Sequence, residues 1–330
     1  MENILQISSF LSQYILLLLP LSLFSSALIS FALIFIFKKL NILDVPNTRS
    51  NHKTPIPVGG GIAIVITTLW TLFLTFFNQT TESQIKYLFL SIIIIAFISF
   101  IDDLKSLKVR TRIPFHIIAI ILLLKSLLFP QHDIYMFITL IVGIFFFINF
   151  YNFMDGIDGS AASEAIHIGM SIILLYAFDS FIPQELLIVS LVLVGASLGF
   201  AIFNWHPAQI FLGDVGSISL GVICAWLLLN LALYKYLAAA IIIPLYYIAD
   251  STLTITKRLL QGKKIWQAHS EHFFQKAVRK GLSHAKVTRK IILINFILCI
   301  LSIISIYYPI LALTASLLVV GMLLYHFQKA

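Results

Sequence analysis

The chain has 330 residues, of which 60% are hydrophobic and 11% charged, with 22 Lys and Arg against 14 Asp and Glu. A soluble domain is typically about 25% charged, so this chain lacks the polar surface to stay in water and a lipid bilayer is the solvent that suits it. The net charge of +8 does not indicate nucleic acid, because the basic residues alternate with apolar runs instead of gathering on one soluble face.

The first apolar run has no basic segment before it and no A-x-A site after it, so it is expected to be a retained span and not a cleaved signal peptide. Apolar stretches recur at Tyr14–Phe37, Gly60–Phe77, Tyr87–Ile101, Ile113–Phe129, Ile134–Phe150, Ala165–Ala177, Leu186–Phe203, Gly216–Leu233, Leu237–Ile255, Ile291–Tyr307 and Ile310–Tyr325. A crossing needs about 20 residues. These runs therefore predict an all-α polytopic membrane bundle of ten or eleven transmembrane helices, a single domain over residues 1–330 with a basic cytosolic loop at 256–290. Ala165–Ala177 is the weakest of them. Cys224 and Cys299 lie inside apolar runs, without metal-type spacing, and read as small buried hydrophobes.

With the N-terminus outside, nineteen of the 22 Lys and Arg fall in inside loops or the C-terminal tail, and only Lys86, Lys125 and Lys235 fall outside. The positive-inside rule then predicts N-out and C-in, which requires an odd number of spans. The outside connections are short. The inside ones are long and polar, so function is expected at the cytosolic face.

The first inside loop, Asp44 to Gly61, carries Pro46, Pro55 and Pro57, which exclude helix, and ends in Gly59, Gly60 and Gly61, which let backbones approach closely. Arg49, His52 and Lys53 supply donors for an anionic group, or simply face lipid headgroups. In the second loop Asp102 and Asp103 end an apolar run. Adjacent carboxylates there need cationic compensation, from a metal ion or from Lys105, Lys108, Arg110 and Arg112. They read as a helix cap, or as a general base or nucleophile. The third loop places Asn149 and Asn152 three apart on one helical face, then Asp155 and Asp158 three apart, each followed by glycine. Oxygen ligands at that density suit Mg²⁺.

In the fourth loop Asp214 sits between Gly213 and Gly216 at a helix start. Backbone N–H groups there favour phosphate, and the carboxylate would repel it unless a metal lay between them. Phe211 and Trp205 offer flat faces to a nucleobase, or belong to the interfacial belt or the core. The fifth loop is long and basic, with His269 and His272 around Glu271 and His284 further on. The zincin pattern is incomplete, so the histidines read as protonatable donors aimed at a pyrophosphate. Trp266, Phe273 and Phe274 also suit the segment to the membrane surface. Asp250 is the acidic residue deep in a span, near the cytosolic end of the ninth.

Taken in order, the D-x-P-x-x-R-S-x-H-x-x-P-x-P-x-G-G loop from Asp44, the Asp102–Asp103 pair, the N-x-x-N-x-x-D-G-x-D-G run from Asn149, the F-x-G-D-x-G-S run from Phe211 and the H-x-x-H at His269 resemble the polyprenyl-phosphate N-acetylhexosamine-1-phosphate transferases. The resemblance covers roughly Asp44 to His284. It implies a UDP-activated N-acetylated amino sugar as donor, undecaprenyl phosphate or a similar polyprenyl phosphate as acceptor, and release of UMP. It implies Mg²⁺, with Mn²⁺ as a substitute, on Asp214 and Asn152. Asp102, Asp103 and Asp214 would form the catalytic set, with Asp102 as base or nucleophile. Asp155 and Asp158 would lie near the nucleotide, Phe211 would stack on uracil, and His269 and His272 would contact the diphosphate. Lys53 and Asn204 complete the implied substrate-binding set. A bacterial inner-membrane location follows, with a homodimer as a candidate assembly.

Within that family the chain is similar to the O-antigen and teichoic-acid initiating branch, which serves envelope polysaccharide synthesis. The muramoyl-pentapeptide branch usually carries three consecutive histidines where this chain has His269-Ser270-Glu271-His272. A pentapeptide transferase stays as one alternative. A transporter for lipid-linked sugars stays as another, although a transporter is expected to hold its polar groups at mid-membrane and here they sit in loops.

Overall fold

The computed structural model describes residues 14–46, 54–76, 82–127, 134–179, 181–264, 267 and 269–329. Lys53, with Arg49, His52 and Trp266, lies outside the described residues. Nearly every described apolar run is helical, because a backbone in hydrocarbon must satisfy its own hydrogen bonds. A single 3₁₀ turn at Ile15–Leu17 leads into α1 (Leu18–Lys39). Then come α2 (Gly61–Phe76), α3 (Glu82–Lys105), α4 (Val109–Ser126), α5 (Ile134–Phe153), α6 (Ser160–Phe178), α7 (Gln184–Asn204) and α8 (Gly213–Leu233). The chain continues through α9 (Leu237–Ile242), α10 (Leu245–Leu260), α11 (Phe273–Arg279), α12 (His284–Ile304) and α13 (Pro309–Lys329).

Among the described residues, eight helices are long and apolar enough to cross a membrane: α1, α3, α5, α6, α7, α8, α12 and α13. Their outer faces expose large apolar side chains, such as Phe24, Leu28 and Phe31 on α1 and Leu311, Leu318 and Met322 on α13. Such a girdle is stable only against lipid. The helix α2 is apolar but only 16 residues long, and α4 carries Arg110, Arg112 and Lys125. The weakest expected span is a full helix, since α6 begins at Ser160 and runs for 19 residues. The ninth apolar run is not one helix. It breaks at Ile243–Pro244 into α9 and α10, because proline has no N–H to continue the ladder.

The centre of the bundle is α7 packed between α1, α6 and α2, with α8 beside them. Against α7, helix α1 turns a stripe of fully buried Ser22, Ser26 and Ser30, small residues that allow close helix approach. The proline-rich first loop folds back as a two-residue antiparallel ladder, β1 (Leu43–Asp44) against β2 (Ile56–Pro57), with Leu43 opposite Pro57. Beyond β2, the N–H groups of Gly60 and Gly61 donate to the carbonyls of Phe211 and Leu212 at 2.9 and 2.8 Å. A Cβ on Gly61 would lie 2.1 Å from the Cα of Gly216, so only glycine lets the start of α2 lie on the first turn of α8. These contacts fix the turn that carries Asp214.

Candidate active site

Asp102 and Asp103 of α3, Asn149 and Asn152 of α5 and Asn204 of α7 lie at the C-terminal ends of those helices, and Arg112, Asp158, Asp214 and His284 lie at or before the N-terminal ends of α4, α6, α8 and α12. All meet at one end of the bundle. Asp103 accepts the N–H groups of Asp214 and Val215 at 2.8 and 3.0 Å. One α3 carboxylate thus closes the first turn of α8, where an acidic group is favoured by the helix dipole. Gly213, at φ +74°, is the residue that brings the turn onto Asp103. The helix-start donors read from the sequence as a phosphate site are therefore already taken by Asp103.

Asp102 is buried. It accepts the Leu107 N–H at 2.5 Å through Oδ1 and pairs through Oδ2 with Arg112 Nη1. The same Nη1 lies 3.0 Å from Asp214 Oδ2, so one guanidinium joins two carboxylates from two helices. On the other side of Asp214, Asn152 Nδ2 donates to Oδ1 at 3.1 Å. Turning that amide over would set its carbonyl oxygen beside the same carboxylate, a pair of hard oxygen donors. Asp155 lies in the short α5–α6 connection. Burial holds its carboxyl well above the ordinary carboxylate pKa, and repulsion from Asp214, Asp103 and Asp158 adds to the shift. The cluster is an excess of carboxylates around one guanidinium, a charge pattern that a divalent cation fits.

Asp158 behaves in the opposite way. Burial would raise its pKa, but hydrogen bonds from His284 and His206, helped by the Ala208 N–H, hold it below the ordinary value. His206 Nδ1 lies 2.6 Å from Oδ2 and His284 Nδ1 3.0 Å from Oδ1. The three side chains have metal-ligand spacing, yet as they stand the two imidazoles already satisfy the carboxylate.

Two clefts open on the cluster, and both are lined by Asn152 and Asp214. The larger, about 350 Å³, also takes in Asp155, Asp158, Phe211 and Arg279. The smaller, about 320 Å³, is lined by Arg112, His116, Phe145, His269 and His272 among others.

The model of glycosyl transferase family 4 matches residues 85–232, the stretch that contains every clustered carboxylate named above. A probable undecaprenyl-phosphate N-acetylglucosaminyl 1-phosphate transferase of Bacillus subtilis (strain 168) is 30% identical over 286 residues, covering 81% of this chain and 78% of that protein. The chain belongs to glycosyl transferase family 4. The resemblance to polyprenyl-phosphate N-acetylhexosamine-1-phosphate transferases is thereby borne out. Phospho-N-acetylmuramoyl-pentapeptide-transferases are similar as well. That of Prochlorococcus marinus (strain MIT 9312) is 33% identical over 314 residues, covering 82% of this chain and 84% of that protein.

In this family 4 chain the expected site residues do not all do the same thing. Asp102, Asp103, Asn152, Asp155 and Asp214 come together. Phe211 lines the larger cleft, whereas Trp205 packs against Gly159 as a structural ring. The Asn204 amide is spent inside the protein: Oδ1 accepts the Gly159 N–H at 3.0 Å and Nδ2 donates to the Ile210 carbonyl at 2.9 Å. It ties the Asp158 turn to the Asp214 turn instead of reaching for a ligand. His272 is anchored through Nδ1, 3.0 Å from the fully buried Asp250. Asp250 also accepts the Phe273 and Phe274 N–H groups at 3.1 and 3.3 Å. His269 stacks on His272 at 5.1 Å. Burial, with His272 and Arg258 nearby, pushes the His269 pKa down to about 4. It is therefore neutral near pH 7 and would meet a diphosphate as an N–H donor without charge.

Two groups went unread in the sequence. His116 lies four residues after Arg112, hence on the same face of α4, a spacing that would have flagged it. Glu164 is fully buried in α6 and accepts from Asn295 Nδ2 of α12 at 2.7 Å. It falls just outside the apolar run used to mark that span.

Proposed function

We propose that this chain transfers an N-acetylhexosamine-1-phosphate from a UDP-sugar to undecaprenyl phosphate or a similar polyprenyl phosphate, releasing UMP, at the cytosolic face of a bacterial inner membrane. One observation carries the reading: Asp214 shares Arg112 with Asp102 and accepts from Asn152, so residues of three helices meet at a carboxylate that lines both clefts. Two clefts on one charged centre suit a two-substrate transfer. An oxygen of the acceptor phosphate attacks the phosphorus that bears the sugar, and the bond from that phosphorus to the UMP oxygen breaks. The products are the diphosphate-linked lipid sugar and UMP.

Both substrates are anionic, so their approach is opposed until their charge is met. Asp214 and Asn152 would hold Mg²⁺, or Mn²⁺ in its place, and the bound ion supplies charge stabilisation for phosphoryl transfer. The carboxylate excess supports that assignment. Arg112 adds a guanidinium held in place from both sides. Phe211 would stack on the uracil in the larger cleft, with Asp155 and Asp158 near the nucleotide, and Asn204 would hold that wall together. His269 would contact the donor diphosphate. An acceptor phosphate, with a second pKa near about 6, is largely ionised at pH 7, so little is asked of a base. Asp102, bound to Arg112, serves first to orient the acceptor. A covalent route through Asp102 requires UMP to exchange into donor without lipid.

The Bacillus relative and the His-Ser-Glu-His segment support a donor of the initiating branch. The pentapeptide transferases among the relatives support a second reading. A panel of UDP-sugars with MgCl₂ and polyprenyl phosphate separates them: UMP release is expected with UDP-N-acetylhexosamines and not with UDP-N-acetylmuramoyl-pentapeptide. A carrier would release none. In the same assay Asp214→Ala is expected to lower kcat by a factor of about 10²–10³, and undiminished release would overturn the metal assignment.

A further inference from the structure

Beside the oxygen-rich cluster around Asp214, a second set of donors is rich in nitrogen. Among the described residues, Asp158, His206 and His284 are the three metal-binding side chains that converge, with ligand atoms all within 4.8 Å of one another. Two metal–ligand bonds span about 4 Å, so one ion shared by the three asks for only a small inward movement. The ligands come from separate parts of the chain. Asp158 lies in the α5–α6 connection, His206 in the α7–α8 connection, and His284 is the first residue of α12. No local spacing in the sequence joins them, and only the fold does.

Ligands of a built metal site are themselves held in place. The Asp158 carbonyl accepts from Thr288 Oγ1 at 3.0 Å, and its Oδ2 accepts the Ala208 N–H at 3.3 Å. Asn204 ties the two connections together by accepting the Gly159 N–H at 3.0 Å. Ser283 caps α12, accepting the Lys286 N–H at 3.3 Å, and so fixes the turn that carries His284. Both imidazoles aim Nδ1 at the carboxylate, His206 at 2.6 Å from Oδ2 and His284 at 3.0 Å from Oδ1. The Asp158 N–H also points at His284 Nδ1, from 3.5 Å. That nitrogen is asked to accept from the amide and to donate to the carboxylate, which no one tautomer does. A cation between nitrogen and carboxylate removes the conflict. Each ring, bound through Nδ1, then carries its proton on Nε2.

The donor set selects the ion. Two imidazoles with one carboxylate suit Zn²⁺, whereas Mg²⁺ prefers oxygen. The His206 side chain is 40% exposed, which gives an ion a way in from water and leaves water as its fourth ligand. We propose that Asp158, His206 and His284 bind one zinc-type divalent cation, separate from the ion assigned to Asp214 and Asn152, and that it pins the α5–α6 and α7–α8 connections to α12. Asp158 and His284 line the larger cleft, so this ion stiffens one wall of it. The proposal does not depend on the transferase reading.

The test is zinc binding by purified, lipid-reconstituted protein that has been stripped with a chelator and returned to buffer containing MgCl₂. Titration calorimetry with ZnCl₂ is expected to show saturable binding of one equivalent, and the melting temperature should rise with zinc and not with further magnesium. His206→Ala and His284→Gln should each weaken zinc binding about tenfold or more and lose the rise in melting temperature. Asp214→Ala should keep the zinc affinity within about twofold, because it removes no ligand of this site. His206 is exposed, so its variant decides the matter even if His284→Gln does not fold. Absence of saturable zinc binding by the wild-type protein, binding unchanged in His206→Ala, or binding lost in Asp214→Ala overturns the proposal. None of these measurements needs turnover, so a protein that releases no UMP is still judged.

Discussion

Two aspartates three residues apart, Asp155 and Asp158, sit in one connection yet are held in opposite states. Asp158 is covered by two imidazoles and a backbone N–H. Asp155 has three carboxylates nearby and burial against it, so its carboxyl prefers its proton. A carboxyl whose pKa is raised on folding contributes stability that is full below its unfolded value, near about 3.9. That contribution is lost as pH rises through the folded value. Asp155→Asn removes the loss. The ligand-free variant is expected to melt at a higher temperature than the parent at pH 8, with the difference gone by pH 4, and to transfer sugar phosphate more slowly. Thermal unfolding across that range checks the first part, and a melting temperature at pH 8 equal to or below the parent's contradicts it. A residue retained against stability is expected at a functional site. At this scale the sequence was informative about which side chains are polar for a reason. It did not reveal their division of labour. Asp102 and Asp103 are neighbours in the chain, but one pairs with a guanidinium ten positions on and the other caps a helix more than a hundred positions away.

Among the elements, the start of α2 has the least freedom. Gly61 touches Gly216 and Leu212 by backbone alone, with its absent Cβ only 2.1 Å from one Cα and 2.9 Å from the Leu212 oxygen. Backbone cannot rotate aside as a side chain can. Gly61→Ala must therefore part α2 from α8 and shift the Asp214 turn. The expected cost is at the upper end of the usual range of about 0.5–3 kcal/mol, with a fall in kcat from a site that has moved. Gly143→Ala on α5 meets nothing within 4 Å, so it should be neutral or slightly stabilising. Melting temperatures and turnover of the two variants make the comparison, and an unperturbed Gly61→Ala protein would refute the close contact. The three glycines were legible as a close approach, though not their partner. Helix existence was legible almost throughout, because length and apolarity are local properties. The break at Ile243–Pro244 was missed because an apolar run hides a proline whose effect is on hydrogen bonding and not on hydropathy.

For the whole molecule, the direction of each helix follows from what its ends touch. Phe37, near the end of α1, reaches the Gly59 turn, so α1 runs toward the site. His284 at the start of α12 holds Asp158, so α12 runs away from it. The last turn of α13 returns, since His326 Nε2 lies 2.9 Å from Lys290 Nζ and the Gln328 carbonyl accepts from Lys280. The described chain thus starts at the end remote from the site and finishes at the site end. The basic residues gather at that same end: Lys38 and Lys39, then Lys105 to Arg112, then Lys257 to Lys290. A membrane that keeps such clusters on its cytosolic side sets the rest. A cytosolic reporter fused to the C-terminus should be active and a periplasmic one silent. Cysteine placed at exposed Ser106, beside the carboxylates, should react with a membrane-impermeant maleimide only after cells are opened, whereas cysteine at exposed Tyr307, in the α12–α13 turn, should react in intact cells. The reverse labelling would put the carboxylate cluster outside the cell, away from a cytosolic supply of nucleotide sugar, and would remove the proposed reaction along with the orientation.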